Sequence, residues 1–129
     1  MAILEHVNVT VSDPHRTAQM LIDLFGWHIR WEGQAMAGAG YTIHVGTDDS
    51  YVALYSGADP DQIVPKRDAS YVTRGGLNHI GVVVDDLDAV EEKVRAMGLV
   101  PTNHASYEPG KRFYFDDPDG VEIEVISYA

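Results

Sequence analysis

The sequence contains no cysteine. That absence excludes a disulfide framework, thiolate catalysis and any metal site built on sulfur, so a bound metal would have to sit on His, Asp or Glu. Positive charge is also scarce. Lys and Arg number 9 against 20 Asp and Glu, a formal net charge of −11. A surface this acidic repels nucleic-acid phosphates and anionic membranes, and neither is an expected partner. No apolar run approaches the roughly 20 residues that cross a bilayer. The stretch Met1 to His6 lacks the basic and apolar regions of a secretory leader, and the expected compartment is the cytoplasm. There is no phosphate-binding glycine loop and no serine elbow. What remains is a chain of 129 residues, 45% hydrophobic. Such a chain suffices for one domain that buries about two-thirds of the surface exposed by the unfolded chain.

The chain repeats itself. Leu4-Glu5-His6-Val7-Asn8-Val9-Thr10-Val11 overlays Leu77-Asn78-His79-Ile80-Gly81-Val82-Val83-Val84 at an offset of 73, with leucine on leucine and His6 on His79. Both segments alternate β-branched residues and read as strands. Period two puts Val7, Val9 and Val11 on one face and His6, Asn8 and Thr10 on the other. In the second copy Ile80, Val82 and Val84 oppose His79, Gly81 and Val83. The apolar face is expected to pack on a helix, and the histidine face to look into a cavity.

A helix is expected after each strand. Asp13 caps the first, Pro14 suits its first position, Ala18, Leu21, Ile22 and Phe25 form its stripe, and Gly26 stops it. Asp86, then Leu87, Val90, Val94 and Met97, then Gly98 repeat the pattern. Three strands should complete each module: Ile29–Gln34, Tyr41–Gly46 and Tyr51–Ser56, then Val100–Ala105, Lys111–Phe115 and Val121–Tyr128. Thr47 to Ser50 and Asp117-Pro118-Asp119-Gly120 are turn sequences. The expected organisation is a single α+β domain over residues 1–129. Its modules span about 3–56 and 77–128, joined by a Pro- and Gly-bearing linker over 57–76.

In Val121-Glu122-Ile123-Glu124-Val125-Ile126, Glu122 and Glu124 share the face opposite Ile123 and Val125. Carboxylates on the inner face of a sheet are costly to bury without compensation, and a divalent cation would supply it. Two imidazoles that recur in a repeat, plus a carboxylate, make a three-ligand set that leaves positions open for substrate, water or dioxygen. His15, His28 and His44 lack a partner at a repeated position and read as structural.

The two modules, with His6 and His79 on their first strands and Tyr114-Phe115-Asp116-Asp117-Pro118-Asp119-Gly120-Val121-Glu122-Ile123-Glu124 near the end, resemble the vicinal-oxygen-chelate superfamily. That group includes glyoxalase I, fosfomycin-resistance proteins, methylmalonyl-CoA epimerase, bleomycin-resistance proteins and extradiol dioxygenases. The resemblance implies two tandem βαβββ modules forming a curved, half-open β-barrel, and a homodimer. It also implies one divalent metal ion per site on His6, His79 and Glu124. An ungapped overlay of the strands puts Ala53 opposite Glu124, so the fourth ligand position of the glyoxalase I pattern is empty. Asn8 stands where fosfomycin-type proteins usually carry threonine. Tyr114, Asp117, Pro118, Gly120 and Glu124 satisfy the tail of the extradiol signature, with His104 upstream at a gap about one residue longer than usual.

The resemblance therefore implies an enzyme acting on a small molecule that chelates the metal through oxygen. A ring-cleaving extradiol dioxygenase is the favoured reading. Fe(II) would be its metal, Tyr114 would bond a substrate oxygen, and His104 would serve as general acid/base. Mn, Ni, Co or Zn would serve a glyoxalase-like lyase or isomerase, in which Glu122 or Glu124 moves the proton. A third reading is a metal-free antibiotic-binding protein of the bleomycin-resistance kind, with Trp27, Trp31, Tyr41 and Tyr55 as stacking surface.

Overall fold

The computed structural model describes residues 1–35, 38–65, 69–107 and 110–129, so part of the expected linker, 66–68, lies outside the described residues. The chain divides into two compact units, Met1–Val64 and Pro65–Ala129. The first contains β1 (His6–Thr10), α1 (Pro14–Phe25), β2 (His28–Gln34), β3 (Tyr41–Gly46) and β4 (Tyr51–Ser56). The second contains β5 (Ile80–Val83), α2 (Leu87–Ala96), β6 (Thr102–Tyr107), β7 (Gly110–Asp116) and β8 (Glu122–Ser127). Each is an open four-stranded sheet with one helix. The strand orders, β1-β4-β3-β2 and β5-β8-β7-β6, are the same topology twice. In each sheet the first strand runs parallel to the last and the remaining pairs are antiparallel. The α+β class and the βαβββ repeat are thus those expected.

Local chemistry sets the helix ends. The Asp13 carboxylate accepts the Arg16 N–H at 3.2 Å, and Gly26 takes φ 69 while its N–H reaches the Ile22 carbonyl. Asp86 accepts the Ala89 N–H at 3.0 Å. Helix α1 buries Ala18, Leu21 and Leu24 over β3 and β4, where Ile43, Val45, Val52 and Leu54 are buried. Helix α2 buries Val90 and Val94 over Phe113, Phe115, Ile123 and Val125 of β7 and β8. Each fully buried side chain of this size contributes about 1.5–3 kcal/mol, so the helix-facing side is where each unit gains its stability. No helix among the described residues is long and apolar enough to cross a membrane.

Three differences from the expected elements bear on function. The strand expected at Val100–Ala105 is Thr102–Tyr107, because Pro101 has no N–H to give a ladder. Within it the register to β7 slips by one residue between Thr102 and Ala105, at Asn103, whose φ is 51. Such a bulge exchanges the faces of every side chain beyond it. Finally, the linker is not featureless. It carries short 3-10 turns at Pro60–Gln62 and Ser70–Val72, and its second half belongs to the second compact unit.

Candidate functional site

The face of the second sheet away from α2 is polar. Strand alternation places Glu122 and Glu124 on it from β8, and Arg112 and Tyr114 from β7, with Tyr114 directly opposite Glu124. The Asp117 turn fixes that register. Its Oδ1 accepts the N–H groups of Asp119 and Val121, both at 2.8 Å, and Gly120 closes the turn at φ 81. His79 immediately precedes β5, the strand beside β8.

These residues form a connected group. His79 Nε2 faces Glu124 Oε2 at 2.9 Å. Arg112 Nη1 donates to the other oxygen of Glu124, Oε1, at 2.8 Å. Both members of that pair are largely buried, with side chains 14% and 11% exposed. The Tyr114 ring meets the His79 ring edge-on, with centroids 5.5 Å apart. On the far side of the imidazole, the Tyr71 hydroxyl lies 3.1 Å from Nδ1 and 2.5 Å from Glu122 Oε1. The hydrogen bond to Glu122, with some desolvation, pushes the Tyr71 phenol up to about 12. Sequence reasoning missed Arg112, although period two puts it on the face of Tyr114. It also missed Tyr71, which lies in the expected linker.

The first sheet carries a different set. His6 Nδ1 lies 2.9 Å from Glu5 Oε1, and Tyr51 donates to the same oxygen at 3.2 Å. The hydrogen bonds from His6 and then Tyr51 hold the Glu5 carboxyl below its ordinary value. Tyr51 is the centre of an aromatic cluster. Its ring lies 4.9 Å from His6 and 4.4 Å from His44, and the Arg30 guanidinium sits 4.6 Å over it. Trp31 meets His44 at 5.3 Å. Burial, followed by the charges of His6 and Arg30, lowers His44 below the usual imidazole value.

Strand register identifies the counterparts of these residues in the first sheet. Ala53 pairs with Asn8 and His44, as Glu124 pairs with Gly81 and Tyr114. Ala53 is therefore the counterpart of Glu124, and His44 that of Tyr114. An ungapped overlay hides the second match, because the turn before β4 is one residue shorter than the turn before β8.

The structure brings His79, Glu124 and Tyr114 together in the second unit, while His6 lies in the first. His104 is on the other side of its sheet. Its Nε2 contacts Glu91 Oε1 of α2 at 2.5 Å, and its ring lies 6.0 Å from that of the helix-facing Phe113. The bulge at Asn103 is the reason. His15 stacks on Tyr41 at 5.3 Å, and His28 lies 3.2 Å from Asp48 in the β3–β4 turn. Of the four aromatics expected to offer stacking surface, Trp31 joins the Tyr51 cluster. Trp27 lies against Phe25, and Tyr55 donates to the Ala39 carbonyl at 2.8 Å.

Among the described residues, no group of three or more His, Asp and Glu is gathered closely enough to hold a metal ion. The pair in the second unit nevertheless fits as two neighbouring ligands. His79 Nε2 and Glu124 Oε2, an imidazole nitrogen and a carboxylate oxygen of the kinds that divalent ions take, stand 2.9 Å apart. Arg112 holds the remaining carboxylate oxygen, as ligating carboxylates are commonly held.

Comparison with known proteins places these observations. The family model described as Glyoxalase/Bleomycin resistance protein/Dioxygenase superfamily matches residues 3–125. Among solved structures, a glyoxylase/bleomycin resistance protein/dioxygenase domain from Frankia sp. EAN1pec is 21% identical with a TM-score of 0.79, over 98% of both chains. A genomically encoded fosfomycin resistance protein from Listeria monocytogenes is 17% identical with a TM-score of 0.71, over 98% of this chain and 93% of that one. The trypanothione-dependent glyoxalase I of Leishmania major is 15% identical with a TM-score of 0.77, over 99% and 88%. At these identities the likeness is one of fold. No protein of curated function matches the sequence.

Proposed function

Because the chain belongs to the glyoxalase/bleomycin resistance protein/dioxygenase superfamily, we propose that it is a divalent-metal-dependent enzyme acting on a small substrate that binds the metal through oxygen. His79, Glu124 and His6 are the proposed ligands. The observation that carries the reading is the approach of His79 Nε2 to Glu124 Oε2 at 2.9 Å, with Arg112 holding the other carboxylate oxygen. The repeat and the family pattern supply His6. When bound, the metal would act as a Lewis acid toward a substrate oxygen.

The surrounding residues favour proton transfer over ring cleavage. A dioxygenase reading asks His104 to act as acid and base, and His104 is engaged with Glu91 on the helix side of its sheet. Glu122, by contrast, is on the same face as His79, with its side chain 21% exposed and one oxygen held by Tyr71. It is the carboxylate placed to take a proton from carbon beside a polarised carbonyl. Tyr114, across from Glu124, is placed to hydrogen-bond a substrate oxygen. The reading is accordingly a glyoxalase-like lyase or isomerase using Ni, Zn, Co, Mn or Fe, in a homodimer.

Elemental analysis of protein purified without chelator, beside His79→Ala, tests this. About one ion per site, lost in the variant, supports the reading. Protein that takes up no ion after reconstitution with each of the five refutes it. The chain would then be a metal-free ligand binder, with the exposed Trp31 and the Tyr51 cluster as its stacking face.

A further inference from the structure

We propose that Tyr71 is a positioning residue of this site: its hydroxyl is donated to Glu122, accepts the Nδ1 proton of His79, and so turns the Nε2 lone pair of that ring toward Glu124. The inference rests on His79 and Glu124 being metal ligands, and adds how the first of them is set. Tyr71 belongs to the segment between the repeats, on the turn Ser70–Val72, and is 61% exposed. Its ring is therefore not held by burial; its hydroxyl and a stacked contact with the His79 ring, centroids 6.4 Å apart, tie it to the site.

The direction of the relay follows from proton counting. A phenol has one proton to give, and an ionised carboxylate can only accept. The contact to Glu122 Oε1, at 2.5 Å, is shorter than that to His79 Nδ1, at 3.1 Å, and a charge-assisted bond is the stronger of the two. The phenol proton therefore goes to Glu122, and the phenol oxygen is left as an acceptor. His79 must then supply an Nδ1–H. Glu122 itself stands 3.6 Å from Nδ1, too far for a direct bond, so the phenol is the link.

The turn that carries Tyr71 is braced from within. The Thr73 hydroxyl donates to the Ala69 carbonyl, as does the Val72 N–H, and the Gly76 N–H reaches the Thr73 carbonyl at 2.9 Å. With Nδ1–H engaged, a cation is what suits the 2.9 Å space between Nε2 and Glu124 Oε2. A metal-binding imidazole commonly gives its other N–H to such a partner, which fixes both tautomer and ring plane.

The test compares the full-length wild type with Tyr71→Phe and Glu122→Gln. Zinc affinity is read by competition with a chromogenic chelator, and the protonation of the two His79 ring nitrogens by ¹⁵N NMR of metal-free protein. Tyr71 is exposed and Glu122→Gln keeps the size and shape of the side chain, so both variants should fold, with circular dichroism as the check. Tyr71→Phe should weaken zinc binding about 10–100-fold and move the proton of the neutral ring from Nδ1 to Nε2. Glu122→Gln, whose amide oxygen still accepts the phenol proton, should keep the Nδ1 proton. Unchanged affinity and unchanged ring nitrogens in Tyr71→Phe would overturn the proposal, as would loss of the Nδ1 proton in Glu122→Gln. A wild type that binds no zinc refutes the metal reading, and the NMR comparison then decides the relay by itself.

Discussion

Arg112→Met removes the cation beside a carboxylate that has little water to turn to. The Arg112 and Glu124 side chains are 14% and 11% exposed, and their atoms lie 2.8 Å apart. Breaking a buried pair by deleting one partner costs about 3–5 kcal/mol, because the other charge is stranded. Here the pair keeps a little exposure, and the water that reaches it compensates part of that charge. A loss of about 2–3 kcal/mol is therefore expected, in line with one hydrogen bond to a charged group. For a chain of this length the corresponding fall in melting temperature is about 8–12 °C. The assay is thermal and urea unfolding of chelator-treated protein by circular dichroism. The double variant Arg112→Met/Glu124→Met should recover most of the loss, since no carboxylate is left unpaired. Melting of Arg112→Met within about 2 °C of wild type, or a double variant less stable than the single one, would refute the reasoning.

Further outcomes follow from the same geometry. His104→Ala should keep wild-type metal content and turnover, because His104 lies with Glu91 on the helix side of its sheet; a large fall in turnover would contradict that placement. His44 is held below its ordinary value by burial and by the charges of His6 and Arg30. The unfolded chain thus takes up that proton first, and stability falls as pH drops below about 6.5. Urea midpoints measured on either side of that value should fall less in His44→Gln than in wild type, and an equal fall would count against the burial. Light scattering should give the mass of a homodimer, and a clean monomer would remove that part of the proposal.

The features legible in the sequence are those with local causes. Asp13 and Asp86 cap because a short carboxylate reaches the third N–H of the helix, and Asp117 organises its turn for the same reason. The pairing of His79 with Glu124 was legible through the repeat and through period two. The faces of β6 were not. They depend on one residue, Asn103, entering a conformation that no neighbouring sequence signal demands. Arg112 was open to the same parity argument that found Tyr114. Its importance became visible only once Glu124 was seen to be nearly buried and in need of a partner. Tyr71 is a harder case, since a segment rich in Pro and Gly carries no periodicity from which a side chain's direction can be read. His44 was hidden by a one-residue difference in turn length, which shifts an ungapped overlay onto the wrong face.

The central claim is that His79 and Glu124 share a metal ion. The most direct test is an anomalous difference map from crystals grown with the ion, collected at its absorption edge. One peak is expected about 2.0–2.2 Å from both His79 Nε2 and Glu124 Oε2, with His6 as the third protein ligand and Arg112 still on Glu124 Oε1. A fully loaded crystal with no peak between those two atoms, or with its peak on other residues, would contradict it.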